Sequence, residues 1–279
     1  MNESSANIYF HVGLGKAAST YLQHSVFPIF QDIYYIHRNR YRASDKIIAR
    51  GEHKKYLMSR EFTRGFENKI QDFLKRHADA YPIIVFRRHD GWIASQYRRY
   101  VKNGGTAEFE QFIDIDNDQG IWSKHELDFY ARIETLERCF GHPPLVLFYE
   151  DMREDAFTFF DTLAHYMDAR YDRNQLPTSA VHKSYSEKQL HVMRGFCRWL
   201  FKSNTRNPQD AHVSWGRKRL RMLGCYCILY PAALIPDSWV PKKPLINPES
   251  LKRIRETYAE DWDECREYAH GQYSQQNAE

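Results

Sequence analysis

The 279 residues include 40 Lys and Arg against 36 Asp and Glu, a net charge of +4, which is too small an excess for a dedicated nucleic-acid binder and suits a small anionic ligand. Hydrophobic residues at 42% and aromatic residues at 15% exclude disorder, and a chain of this length buries about three quarters of its unfolded surface without needing disulfides. Five cysteines with no metal or redox spacing are expected to be reduced packing residues, and residues 1–7, which lack a basic stretch leading into an apolar one, lead to the expectation of a cytoplasmic chain without a leader.

Ile8–Val12 is a short β-rich run ending at Gly13, after which residues 20–30 place apolar side chains at helical spacing. A strand, a turn and a helix are expected there. Residues 32–36 and 55–58 read as short strands, and Phe62, Phe66, Ile70, Phe73 and Leu74 mark a helix after the second. Residues 82–86 are nearly all apolar, as in a strand buried on both faces of a parallel sheet, and Ile93, Tyr97, Tyr100 and Val101 mark the helix that follows. A last strand at 145–148 lies between helices expected over 123–140 and 155–167.

This alternation over residues 7–168 predicts an α/β fold with a parallel, doubly wound sheet, which binds ligands beyond the carboxyl ends of its strands. After residue 170 the pattern is helical, clearest over 186–201 and 248–268, with proline-rich irregular chain between 231 and 248. The expectation is one domain, 1–279, with a helical cap over 170–279. The hydrophobic stretch 222–234 is too short to span a bilayer and contains Pro231.

Gly13-Leu-Gly15-Lys16-Ala17-Ala18-Ser19-Thr20 follows the first strand. Its small residues let backbone amides approach an anion, and the next helix turns its positive end to the same place. It is not a Walker A loop, because GxxxxGK[ST] would need a glycine where Phe10 stands and a hydroxyl residue at Ala17. The plain alternative is a glycine-rich turn with Ser19 or Thr20 capping the helix and Lys16 in solvent. A second constellation follows the strand 82–86: Arg87, then Ser95 eight residues later on a helix. A guanidinium pairs bidentately with phosphate and a hydroxyl adds a neutral donor; the alternative is a solvated basic helix start.

The run His11-Val-Gly-Leu-Gly-Lys-Ala-Ala-Ser-Thr-Tyr-Leu-Gln23 resembles the 5′-phosphosulfate loop of sulfotransferases that use 3′-phosphoadenosine 5′-phosphosulfate (PAPS), whose usual form is close to H-[IV]-G-x-P-K-T-G-T-T-x-L-Q. Gly15 stands for its proline, Ala17 for its first threonine, Ala18 for its glycine and Ser19 for the next threonine; Lys16 and Thr20 are retained. Arg87 and Ser95, with the Ser-x-Tyr-Arg ending at Arg98, resemble the same family's 3′-phosphate motif. Ser59-Arg-Glu61 is similar to an S-x-E segment whose glutamate is a candidate base. Tyr149-Glu-Asp-Met152 is similar to a strand end whose acidic residues cap and orient. His182–Ser186 and Tyr258–Trp262 are weaker echoes.

The resemblance implies a P-loop NTPase-like fold and PAPS as co-substrate, with Gly15, Lys16, Ala17, Ala18, Ser19, Thr20, Arg87 and Ser95 binding it. It implies catalysis by Lys16 and Glu61, no metal, and an acceptor hydroxyl on a glycan or glycolipid. His11 and His125 are further candidates for the base, although His11, inside an apolar strand, reads rather as a satisfied core or rim histidine. A P-loop nucleotide kinase and a non-enzymatic nucleotide-binding protein are the rival readings. Arg217–Arg221 before the apolar stretch, with Trp239, Lys242 and Lys243 after it, read either as a peripheral membrane contact at the inner face or as a packed cap helix.

Overall fold

The computed structural model describes residues 6–176, 185–201 and 215–276, without the side chains of 200, 201, 215–223 and 273–276. His182–Ser184 and the side chains of Arg217–Arg221 therefore lie outside the described residues. The chain forms two compact units, one comprising residues 1–88, 128–181 and 259–279, the other 89–127 and 182–258.

The first unit carries the sheet. Its strands are β1 (Asn7–Gly13), β2 (Tyr34–Ile36), β3 (Lys55–Glu61), β4 (Tyr81–Phe86) and β5 (Leu145–Phe148). They pair in the order β2-β3-β1-β4-β5, all parallel, so the α/β fold class expected from the sequence holds. Alternation along the strands sends Tyr9, Leu57, Ile83, Val85, Leu145 and Leu147 into a core with Leu22, Phe27, Phe160 and Leu163. The other set includes Phe10, which stacks on Phe73 at 3.7 Å between ring centroids. Phe73 belongs to α3 (Phe66–Leu74), an amphipathic helix that buries Ile70 and Phe73 one turn apart.

The expected helix over 20–30 is a composite. It begins as α1 (Ser19–Tyr21), widens into a π turn over Leu22–Val26 and tightens into a 3-10 turn over Phe27–Ile29. Pro28 has no amide hydrogen to continue the α ladder, which explains the change of pitch. Before β3 the chain adds a 3-10 turn, Arg38–Ala43, and α2 (Ser44–Ile48), both absent from the sequence reading. The strand expected at 55–58 runs on to Glu61, because β1 offers pairing partners as far as Gly13.

The second unit contains α4 (His89–Lys102) and α5 (Phe109–Phe112). Two expected helices break where the chain passes between the units. The span 123–140 divides into a 3-10 turn, Lys124–Leu127, and α6 (Tyr130–Phe140) of the first unit. The Asp261 carboxylate accepts the amides of Phe129 and Tyr130, each at 3.0 Å, and the Asp128 carboxylate accepts the Ala131 amide at 3.1 Å, so a distant and a local acid together fix a new helix start. Further along lie α7 (Tyr149–Glu154) and α8 (Ala156–Tyr166) in the first unit, then α9 (Glu187–Phe201) and α10 (Trp215–Ala232) in the second. The span 248–268 is likewise two helices, α11 (Pro248–Thr257) and α12 (Ala259–Gln276), of which α12 packs on β5 and α6.

In the second unit α9 and α10 pack together and bury Leu190, Met193, Cys197, Cys225 and Leu229, whereas Tyr230, Leu234 and Trp239 are exposed. All five cysteines are free thiols. Among the described residues no helix is long and apolar enough to cross a membrane.

Because Phe73 is buried against Phe10, Phe140 and His77, Phe73→Ala is expected to destabilise the fold by about 3–5 kcal/mol. Urea unfolding at neutral pH measures this as a lowered midpoint with an unchanged slope.

Candidate functional site

The parallel order brings the carboxyl ends of β3, β1 and β4 side by side. Gly13 pairs with Glu61 on one side and with Val85 on the other, so Glu61 and Arg87 flank the loop that leaves β1. The loop closes on itself through the Leu14 carbonyl, which accepts the Ala17 amide at 3.1 Å and the Ser19 hydroxyl at 3.0 Å. A Cβ at Gly13 would lie 2.8 Å from the Ser19 hydroxyl oxygen, so this turn requires a glycine there. The Gly15 amide donates to the Thr63 hydroxyl at 2.9 Å, which ties the loop to the segment after β3. Two of the loop's amides thus hold its shape. The helical turn that begins at Ser19 directs its amino end to the same loop.

Lys16 and Ala18 have positive φ, 78° and 60°, in the left-handed region where a side chain is unfavourable. Lys16 is exposed, Thr20 half-buried, and Gly15, Ala17 and Ser19 buried. The replacement of glycine by Ala18 therefore falls on the backbone of the helix N-cap, with its methyl group half-buried.

The structure brings Arg87 to this loop. Its guanidinium donates to the Lys16 carbonyl at 3.5 Å and lies over the Tyr149 ring, 4.7 Å from the centroid. Glu150 accepts the Arg88 amide at 3.1 Å, and Asp151 pairs with Arg266 at 2.7 Å. The acidic residues after β5 thus cap and orient. Ser95 lies half-buried about two turns into α4, and His125 is exposed in the 3-10 turn 124–127; both belong to the second unit.

Glu61 is the last residue of β3 and exposed. With Gln23, Arg38, Ser59 and Arg60 it lines a pocket of about 260 Å³. Behind the pocket, the Gln23 amide donates to the Ser59 hydroxyl at 2.9 Å, and that hydroxyl lies 2.8 Å from Nδ1 of His11. His11 is fully buried, and burial lowers its pKa to about 3. A neutral imidazole so reluctant to take a proton is a poor base near neutral pH, and the geometry fits the buried-rim reading of His11.

Thr63 and Arg38 join this site without a signal in the linear sequence, while Tyr149 opens the segment whose acidic residues were expected to cap and orient. Each of the first two depends on a pairing across the sheet edge or on a turn that local periodicity does not describe. Among the described residues no three His, Cys, Asp or Glu side chains converge to hold a metal.

No family model matches the sequence, and no curated protein matches it. Among solved structures the chain is similar to the crystal structure of a sulfotransferase from Alicyclobacillus acidocaldarius, with a TM-score of 0.50 at 14% identity. The likeness covers 71% of this chain and 96% of that one. At this identity it is a likeness of fold, and this chain's own part in it is a five-stranded parallel sheet flanked by helices.

Two outcomes follow from the loop and its support. Ala18→Gly relieves a left-handed alanine and is expected to stabilise the protein by about 1 kcal/mol in urea unfolding, after the larger chain entropy of glycine is offset. The His11 pKa is depressed below its unfolded value of 6.5, so its contribution is complete above about pH 6.5 and is lost as the pH falls toward 3. Unfolding free energy should drop by about 1.4 kcal/mol per pH unit from this group alone. His11→Gln should remove that part of the slope between pH 6 and 4.

Proposed function

We propose that this protein is a sulfotransferase that moves a sulfuryl group from PAPS to the hydroxyl of an acceptor, a glycan or glycolipid. The observation that carries the reading is the contact of Arg87 with the carbonyl of Lys16, which joins the arginine after β4 to the lysine-bearing loop after β1. A cation from each of two strand ends, beside the start of a helix, suits a ligand with separated anionic groups. The likeness in fold to a sulfotransferase supports the same reading.

In this proposal Gly15, Lys16, Ala17, Ala18, Ser19 and Thr20 hold the 5′-phosphosulfate, and Arg87 with Ser95 holds the 3′-phosphate. The two amides engaged with Leu14 and Thr63 set the loop in shape before the ligand arrives. Glu61 takes the proton from the acceptor hydroxyl. The acceptor oxygen forms a bond to sulfur as the sulfur bond to the bridging oxygen breaks, and the electron pair leaves with the nucleotide. Lys16 stabilises the charge that develops on that oxygen. Lysine and oriented amides supply the positive field that magnesium provides in phosphoryl transfer, so no metal is assigned. For a lipid-linked acceptor, the exposed Tyr230, Leu234 and Trp239, followed by Lys242 and Lys243, would meet the headgroup boundary.

Transfer from labelled PAPS over an acceptor panel tests the proposal. Lys16→Ala is expected to lower the transfer rate by about 10²–10³-fold while nucleotide binding stays measurable. Glu61→Gln should lower the rate far more than PAPS affinity. Arg87→Ala and Ser95→Ala should each weaken nucleotides bearing a 3′-phosphate by about 1.5–3 kcal/mol and spare those without it. Magnesium-dependent ATP turnover with no transfer from PAPS would favour a kinase, and nucleotide binding with neither activity a binding protein.

A further inference from the structure

The pocket beside Glu61 carries information about the acceptor that the loop and Arg87 do not. β1 lies between β3 and β4, so the pocket at the end of β3 is on the opposite flank of the loop from Arg87. If Arg87 and the loop hold the donor, the acceptor hydroxyl must come within hydrogen-bond reach of Glu61, and Glu61 is a wall of this pocket. At about 260 Å³ the pocket is below the roughly 300–1,000 Å³ of drug-sized sites and holds one small polar unit of a larger molecule.

Its walls are charged unequally. Arg38 and Arg60 contribute two positive charges and Glu61 one negative charge, a local balance of +1. Among the described residues neither guanidinium forms an ion pair. The nearby carboxylate of Asp45 is engaged elsewhere, with Arg76 at 3.3 Å and His77 at 3.0 Å. Arg60 is held in place by the Tyr41 ring, 5.2 Å from the centroid, and Arg38 opens a turn that the His37 ring caps by accepting the Asn39 amide at 3.3 Å. The positive field also reaches neighbouring groups: partial desolvation, and after it the Arg60 charge, pushes the Lys69 ammonium below its ordinary pKa.

We infer that the acceptor bears an oxyanion, and that Arg38 and Arg60 bind it while Glu61 meets the hydroxyl. This inference rests on the sulfotransferase reading for the role of Glu61 and for a glycan acceptor, while the preference for an anionic group follows from the pocket itself. Two guanidiniums fit a carboxylate, sulfate or phosphate through paired N–H donors. They also offset the repulsion that a second negative charge would otherwise exert on the Glu61 carboxylate.

Binding without donor tests the inference directly. The probes are a uronic-acid-containing tetrasaccharide, the same tetrasaccharide with its carboxyl groups reduced to alcohols, and glucose 6-phosphate, each titrated by NMR at low and physiological salt. The carboxylated form should bind about 10–100-fold more tightly than the reduced form. That ratio should fall toward one in Arg38→Gln and Arg60→Gln, with nucleotide 3′,5′-bisphosphate binding as the check on folding. A preference for the phosphate sugar over the uronate, or the reverse, identifies which oxyanion the pocket reads. Equal binding of charged and reduced forms, or equal loss of both in the arginine variants, overturns the inference. Failure of the bisphosphate to bind the unmodified protein would overturn the sulfotransferase reading instead, and the charge preference would still be measured.

Discussion

The pairing of β1 on both edges, to β3 on one side and β4 on the other, is the constraint on which the site depends. Parallel neighbours cannot be joined by hairpins, so each strand sends its chain away over a face and all carboxyl ends emerge together. Three segments far apart in sequence then meet: the loop after Gly13, the Ser59–Thr63 stretch and the residues after Phe86. The register decides how they meet. Gly13 stands level with Glu61, which lets Thr63 reach the Gly15 amide, and it stands level with Val85, which lets Arg87 reach the Lys16 carbonyl.

The site has a dry side and a charged side. Behind the pocket, Gln23, Ser59 and His11 form a hydrogen-bonded row in the sheet's buried face, with the His11 ring edge against Phe27 at 5.2 Å. Burial keeps that row neutral, so it can fix the positions of Ser59 and the strand end without adding charge. At the rim of the pocket Arg60 and Arg38 stand with the carboxylate of Glu61, and Lys16 and Arg87 add positive charge at the loop. These cations favour anionic ligands on both flanks of the loop.

Much of the fold was legible because the strands are short apolar runs and the helices keep their period. The loop was legible because Gly13, Gly15 and Lys16 follow a strand directly. What escaped the sequence depends on distant partners. The break before Tyr130 is held by Asp261, 131 residues further on, together with the local Asp128 at the Ala131 amide, and periodicity runs through it unchanged. Periodicity likewise runs through Tyr258, where α11 ends and α12 begins. The last residues of β3 carry exposed polar side chains, which local pattern assigns to a loop, yet pairing with β1 keeps them extended. The consequence of Ala18 was also hidden: its identity is in the sequence, but its left-handed backbone is not.

The chain passes between the two compact units four times, at 88/89, 127/128, 181/182 and 258/259. The segment that completes the first unit follows the whole of the second: α12 supplies Trp262 against Phe148 at 4.9 Å and Asp261 to the amides that open α6. Neither unit is therefore a contiguous stretch of gene that could be gained, lost or exchanged in one recombination event. During synthesis the sheet must also wait: β1 to β5 leave the ribosome well before α12, so the first unit is completed only once α12 has emerged.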